Sequence, residues 1–431
     1  MKYEPISSEL FIQNRKRFCE QLKPNSIAIF HSNDILPTNA DGTMPFKQNT
    51  DLFYLSGIDQ EESILVIYPD SNFGEFREVL FLKETSEEIA IWEGHKYTKE
   101  EATATSGIRT IKWLPDFKKV FHMLMSEAEH VYVSTNEHWR ADISVETRDS
   151  RFIKWCKEFY PVHQYERVNP VMHRLRSVKS QLEIDQIQKA CDITNRGFRR
   201  VLEFIKPGVM EYEIEAEFIH EFIRSRSAGF AYAPIIASGY NACVLHYIDN
   251  NKECKDGDLI LFDVGAEYAN YNADMSRTVP VSGRFTDRQK AVYNAVLRVK
   301  EACANDLLVP GTTIVEYHKE VGKLMESELL GLGLLDKADI QNQNPEWPAY
   351  KKYFMHGTSH YLGLDVHDYG GHHATIQEGM VFTIEPGIYI PEENMGIRLE
   401  DNYVIQDGKP PVNLMKDIPL SIEEIEDIMN R

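Results

Sequence analysis

The chain has 431 residues, 26% of them charged and 42% hydrophobic, and a formal net charge of −20. It is long enough for two or three domains with sizeable cores. It is too acidic for a nucleic-acid partner or an anionic membrane surface, each of which needs a basic face.

No apolar run approaches the roughly 18 residues of a membrane helix. The start, MKYEPISSELFIQNRKRF, lacks the apolar core of a signal peptide. The six cysteines are scattered with no CxxC pair, as expected of free thiols in a reducing cytoplasm. Residues 1–172 read as an α/β domain. Ser8 to Gln21 has the pattern of an amphipathic helix, and strands are expected at 26–30, 62–69, 78–83 and 130–135, with a turn around Asp70–Gly74. Helices alternating with strands argue an α/β layer. The histidines here (31, 95, 122, 130, 138, 163) stand singly, so each is expected to be solvated or packed in a core.

A boundary near Pro170–Ser177 opens a second domain, 173–431. Ser180-x-x-Glu183 is a capping box. Ile187, Ala190, Cys191, Thr194, Phe198, Val201, Leu202 and Ile205 follow at helical spacing, until KPG at 206–208 stops the helix. A second helix is predicted from Glu211 to Ser225. The order then recurs. Thr286-x-x-Gln289 opens a helix to about Leu308, VPG (309–311) ends it, and Thr313-x-x-Glu316 opens another. DGDLILFDVG (256–265) and QEGMVFTIEPG (377–387) also correspond: an acidic–Gly turn leads into an apolar strand that ends at a carboxylate, with Gly two residues on. Helix, PG, helix and strands, twice over, read as an internal duplication. It places Asp263 and Glu385 at equivalent points about a pseudo-twofold axis.

Those two acids carry the chemistry. A carboxylate ending an apolar strand is costly unless it is paired or binds a metal. Asp274 follows Asp263 by eleven residues, and a hairpin through EYANYN would set the two across antiparallel strands. Glu400 follows Glu385 by fifteen residues in the same manner. Four converging carboxylates carry a charge of −4, which two divalent cations would balance. The stretch HGTSHYLGLDVHDYG (356–370) adds three histidines among glycines, and His360 is the natural fifth ligand. Four oxygen donors and one imidazole favour Mn²⁺, with Zn²⁺, Co²⁺ or Fe²⁺ as alternatives. Two such ions can hold a bridging hydroxide and polarise a carbonyl, an arrangement suited to hydrolysis.

Five long segments of the second domain closely resemble the creatinase/methionine-aminopeptidase, or pita-bread, peptidases, and within them the Xaa-Pro aminopeptidases (aminopeptidase P). They are IIASGYNACVLHYIDNN (235–251), DGDLILFDVGAEYANYNADMSRTVPVSGRFT (256–286), HGTSHYLGLDVHD (356–368), EGMVFTIEPGIYI (378–390) and GIRLEDNYVI (396–405). FKQNTDLFYLSGIDQEESILVI (46–67) resembles that family's N-terminal domain. The resemblance implies an α+β fold: a duplicated, creatinase-like catalytic domain preceded by an α/β domain. It carries five metal ligands onto Asp263, Asp274, His360, Glu385 and Glu400. Glu385 is implied to be both ligand and proton acceptor and donor. His246 and His367 are implied to face substrate and transition state, and His356 to line the proline pocket. Arg398 matches an arginine on the proline side of the site, or equally offsets the acidic cluster. Asp41 and Trp92 match residues that reach the site from the N-terminal domain, across a subunit interface of a dimer or tetramer.

The implied activity is release of the N-terminal residue from peptides with proline second. A prolidase acting on X-Pro dipeptides is the nearest rival, and a non-catalytic pita-bread module is disfavoured because all five ligand positions are filled. The segments Tyr369–Gln377 and Ile390–Gly396 are short for the family, which bears on the length of peptide accepted.

Overall fold

Apolar segments separated by helices order into one six-stranded sheet in the first part of the chain. Its strands are β1 (Ser26–His31), β2 (Ile64–Ile67), β3 (Glu78–Leu82), β4 (Thr110–Trp113), β5 (His130–Val133) and β6 (Gln164–Arg167), in the order β4-β3-β2-β1-β5-β6. β1 runs antiparallel to β2 and parallel to β5, and β2–β3 is antiparallel. The outer pairs β3–β4 and β5–β6 are parallel. β1 and β2 are buried along their whole length, which is why they read as continuous apolar runs. Ile27, Ile29, Val66, Val79 and Phe81 pack there with Phe117, Phe121 and Leu124 of a flanking helix. Two strands escaped the sequence reading, because TIKW of β4 and QYER of β6 are only partly buried and lack an apolar run.

This is a computed structural model, and it describes residues 2–431. The chain divides into two units, Tyr3–Leu175 and Arg176–Arg431. No loop marks the division, since Asn169–Ser177 is helical. Among the described residues no helix is long and apolar enough to cross a membrane, and all six cysteines are free.

The second unit begins with the helix Gln181–Phe204, capped by the expected Ser180/Glu183 box, and the helix Glu211–Arg224. Next come β7 (Gly229–Phe230), β8 (Ile235–Ser238), β9 (Leu259–Val264), β10 (Ala266–Tyr268), β11 (Tyr271–Asn272) and β12 (Met275–Pro280). β9 pairs antiparallel with both β8 and β12. The expected EYANYN hairpin is β10–β11, turning through Ala269 and Asn270, with φ of 53° and 66°. Gly265 is required at its base, since a Cβ there would overlap the Ala273 carbonyl oxygen.

The order repeats. The helix Asp287–Ala302 ends earlier than its apolar pattern predicts, because Cys303–Leu307 is wound as a wider π turn. The helix Ile314–Gly331 follows, capped by the expected Thr313/Glu316 box. β13 (Val381–Ile384), β14 (Gly387–Ile390), β15 (Met395–Arg398), β16 (Asp401–Val404) and β17 (Val412–Asn413) complete the unit. β13 pairs antiparallel with β16, and β14 with β15.

Candidate metal centre

The strand registers gather the acids. Asp263 of β9 lies opposite Ser276 of β12, and Asp274 sits just before β12, where the chain leaves the ladder. In the other half, the last rung of β13–β16 is Ile384–Asp401, so Glu385 and Glu400 come next on either side. Ser276 ties the halves together. Its hydroxyl donates to Glu400 Oε2 at 2.7 Å, and its carbonyl accepts from the Glu400 N–H at 2.9 Å. The Tyr232 hydroxyl lies 2.7 Å from Asp263 Oδ1 and 2.5 Å from Asp274 Oδ1, one proton between two carboxylates. Asn402 holds the Asp274 main chain from both sides: its Oδ1 accepts from the Asp274 N–H at 3.0 Å, and its Nδ2 donates to the Asp274 carbonyl at 2.6 Å.

His360 joins this group from the glycine-rich stretch. Its main chain exchanges two hydrogen bonds with Thr383 of β13. Its Nδ1–H donates to the Tyr361 carbonyl at 2.9 Å. Nε2 is thereby left facing Asp274 Oδ2 at 3.4 Å and Glu385 Oε1 at 3.8 Å, the orientation a metal-binding imidazole takes. Ligand atoms of Asp274, His360 and Glu400 all lie within 4.8 Å of one another.

The electrostatics show what this cluster lacks. Burial, then the charges of Asp274, Glu385 and Asp263, push Glu400 well above the ordinary carboxyl range. Burial also raises Asp263 against the opposing pull of Arg398. Glu385 is pushed up to about 7, first by burial and then by Asp274 and Asp263, with His360 and Arg398 pulling the other way. Four carboxylates gathered around one imidazole and one guanidinium are short of positive charge, and divalent cations fit that deficit. The donor set, four carboxylates and an imidazole, suits hard or borderline ions.

Arg398 turns all its side-chain nitrogens into the cluster. Nη2 donates to Asp263 at 2.5 Å, Nε to Ser276 at 2.7 Å and Nη1 to the Tyr389 hydroxyl at 2.8 Å. Of the two roles its motif suggests, this favours offsetting the acids. The Tyr389 hydroxyl then donates to His356 Nε2 at 2.7 Å, and His356 Nδ1–H donates to the Gly357 carbonyl at 2.7 Å. Burial, followed by the nearby Arg398 charge, pushes His356 down to about 3, so it is neutral. Both of its ring nitrogens are thereby engaged within the protein. His367 is exposed, its ring 4.4 Å from that of His360 and edge-on to it. His246 is exposed on the segment between β8 and β9, close enough to His356 to add to the downward push on it. Asp41 and Trp92 are surface residues of the N-terminal unit; Trp92 is 87% exposed, on a short helix, Glu87–Glu93, with no buried residue.

Residues 185–407 match metallopeptidase family M24, and residues 11–132 match the aminopeptidase P N-terminal domain. This chain belongs to the aminopeptidase P branch of metallopeptidase family M24. It is 35% identical to Xaa-Pro aminopeptidase of Escherichia coli K12, over 98% of both chains, and 31% identical to human Xaa-Pro aminopeptidase 3, over 93% of this chain and 79% of that one. Its structure is similar to Pseudomonas aeruginosa aminopeptidase PepP (TM-score 0.89, 30% identity, 99% of this chain and 98% of that one). It is also similar to a zinc-substituted E. coli aminopeptidase P in complex with product (TM-score 0.87, 32% identity, 99% of both). The M24 aminopeptidase P fold is accordingly the α+β one expected, an α/β N-terminal domain followed by the duplicated pita-bread unit.

Several residues that shape the M24 site were not visible in the sequence. Tyr232, Ser276, Tyr389 and Asn402 have no ligand spacing and act on partners far along the chain. His318, in the helix Ile314–Gly331, accepts the Thr358 and Ser359 N–H groups on Nε2, each at 3.2 Å. Burial foremost pushes it down to about 4, so it keeps the lone pair those bonds need. It holds the turn between His356 and His360 from behind. The pattern HGTSH marks that turn but not its support.

Proposed function

We propose that this M24 protein is a dinuclear metal-dependent aminopeptidase that releases the N-terminal residue of peptides whose second residue is proline. The observation that carries this reading is the gathering of Asp274, His360 and Glu400, with Glu385 beside His360 and Asp263 joined to Asp274 through Tyr232, in a cluster short of positive charge, in a chain similar end to end to Xaa-Pro aminopeptidases. We assign those five as the ligands of two divalent ions, Mn²⁺ in the first place. Bound there, the ions supply Lewis acidity and a water that ionises near neutral pH.

The chain's own groups do the rest. Glu385 takes the proton of the attacking water and hands it to the imino nitrogen of the departing proline. His246 and His367 donate to the oxygen on which negative charge develops at the carbonyl before proline. His356, both nitrogens occupied, gives the proline ring an apolar wall. Asp263 faces the free N-terminal amine, and Arg398 steadies the acids. Asp41 and Trp92, exposed in the N-terminal unit, reach the site of a neighbouring subunit in a homo-oligomer. The domains divide near residue 172, and the protein works in the cytoplasm. An X-Pro bond lacks an N–H and its ring fixes φ, so a dedicated pocket is needed to cleave it.

The test gives purified protein with Mn²⁺ three substrates: a tripeptide X-Pro-Y, a dipeptide X-Pro and a Met-Ala peptide. Cleavage of the tripeptide at the X-Pro bond is expected. Cleavage of the dipeptide alone would overturn the reading in favour of a prolidase.

A further inference from the structure

The segment from Ser238 to Lys252 leaves the sheet after β8 and returns before β9, and His246 stands on it. Exposed segments of this length wander unless something fixes them. Its neck is closed by main-chain pairing with the turn ahead of the helix Glu211–Arg224. Gly208 N–H donates to the Cys254 carbonyl at 2.9 Å, Cys254 N–H to the Val209 carbonyl at 2.8 Å and Glu211 N–H to the Lys252 carbonyl at 2.9 Å. Asn250 adds a second tie, its Oδ1 accepting from Ile236 N–H at 2.9 Å and its Nδ2 donating to the Pro234 carbonyl at 3.0 Å. Gly396 of β15 leaves room for the segment, because a Cβ there would overlap the Ala242 carbonyl.

At the centre of this arch is the Glu211 carboxylate, which is 0% exposed. It gathers donors from every part of the arch. Oε1 accepts from Ser238 N–H at 2.8 Å, at the start, and from Asn241 Nδ2 at 3.2 Å. Oε2 accepts from Lys252 N–H at 2.9 Å, at the end, and from the Tyr247 hydroxyl at 2.6 Å. None of these four donors carries a charge. An ionised carboxylate offers about four lone-pair sites and no proton, so it is the side chain that can satisfy four converging donors. A carboxamide of the same shape would turn N–H groups toward donors. Tyr247 is the next residue after His246 and is buried in one apolar cluster with Ile235, Ala237, Leu261 and Tyr389. Fixing its hydroxyl anchors the main chain from which the neighbouring imidazole extends. Tyr389, a member of the same cluster, is also the residue that bonds His356.

We propose that Glu211 is a positioning residue that acts through Tyr247 and the arch ends to hold His246 toward the scissile carbonyl. The proposal rests on the role given to His246 above. Glu211 touches neither substrate nor any of the five proposed metal ligands.

A double-mutant cycle tests it with Glu211→Gln, His246→Ala and the two combined, each loaded with Mn²⁺ and assayed on an X-Pro-Y peptide. Metal content and amide hydrogen exchange over 238–252 are followed in parallel. Glu211→Gln is expected to lower kcat on the order of 10- to 100-fold, the cost of a group displaced by about an ångström. Exchange over the arch should quicken while metal content stays that of the wild type, and the combined variant should be no slower than His246→Ala. Wild-type kcat in Glu211→Gln despite a loosened arch overturns the proposal, as does a loss that multiplies with that of His246→Ala. Lost metal content does so too, because it would mean general damage. Full activity in His246→Ala sinks the role of His246 and this proposal with it, which separates that failure from the others. Should Glu211→Gln not fold, Tyr247→Phe removes only the donor beside His246. A several-fold kcat loss that vanishes in the His246→Ala background supports the proposal, and an unchanged kcat overturns it.

Discussion

Glu400 and Asp401 are neighbours in the chain, both buried, and they have opposite fates. Glu400 turns into the acidic cluster, where burial and the surrounding carboxylates push it far up. Asp401 turns the other way. Burial would raise it too, but Arg277 and Lys300 outweigh that and hold it below the ordinary range. Arg277 Nη2 donates to Asp401 Oδ1 at 2.6 Å, and Lys300 Nζ to Oδ2 at 2.5 Å. Arg277 also reaches the Glu400 carbonyl at 2.7 Å and the Pro419 carbonyl at 2.9 Å. One face gives a single carboxylate two cations, whereas the other has the Arg398 guanidinium and the His360 imidazole among four carboxylates. A buried charge persists only when it is compensated, so the first face is a finished piece of structure and the second is left short of positive charge.

The largest expected effect breaks the open face. Asp263→Ala or Glu400→Ala should lower turnover of an X-Pro-Y peptide on the order of 10³-fold, the scale seen when preorganised charge is removed from a site. Full activity in either would refute the ligand assignment. The same pair of faces predicts opposite stabilities in urea melts of ion-free protein. Asp401→Ala strands two buried cations and should cost about 3–5 kcal/mol, whereas Glu400→Ala relieves repulsion and should leave stability unchanged or higher. Equal losses would erase the distinction. Returning Mn²⁺ at about 100 times its Kd should stabilise the wild type by about 2.7 kcal/mol, with no comparable gain in Glu400→Ala.

A third site sharpens the comparison by pH. Asp368, beside His367, is buried; that raises it, yet Arg176 and Lys179 prevail and its carboxyl is held low. A depressed carboxyl contributes its stability above the unfolded pKa of about 3.9 and loses it as pH falls through the lower folded value. Asp368→Asn should therefore cost about 2 kcal/mol at neutral pH, with the gap to the wild type closing below about pH 4. A constant gap would show that packing, not charge, is what the substitution removes. The smallest effect expected is that of Tyr389→Phe, about 1 kcal/mol, read as a few-fold rise in KM as His356 loses its partner.

Local features were legible in the sequence. The capping boxes at Ser180, Thr286 and Thr313 each lie within one turn, and all three form. The Ala269–Asn270 hairpin was legible because turn and strands are contiguous. The acids stood out because a carboxylate ending an apolar strand demands an explanation. Their keepers did not. Ser276 meets Glu400 across 124 positions and Glu211 meets Ser238 across 27, and neither spacing leaves a period in the chain. The π turn at Cys303–Leu307 was missed for a different reason, since an apolar pattern does not register a slightly wider winding.

The carboxamide of Asn402 has a consequence of its own. Taking a hydrogen bond from the main-chain N–H of Asp274 and giving one to its carbonyl is the exchange that a neighbouring strand would make. A side chain is thus standing in for a missing strand at a place where the ladder opens to release a carboxylate into the acidic cluster. The molecule keeps the bookkeeping of a closed sheet and the freedom of a frayed one. That substitution needs a group with a donor and an acceptor side by side, so an aspartate at 402, nearly identical in shape, would meet the Asp274 carbonyl oxygen with an oxygen.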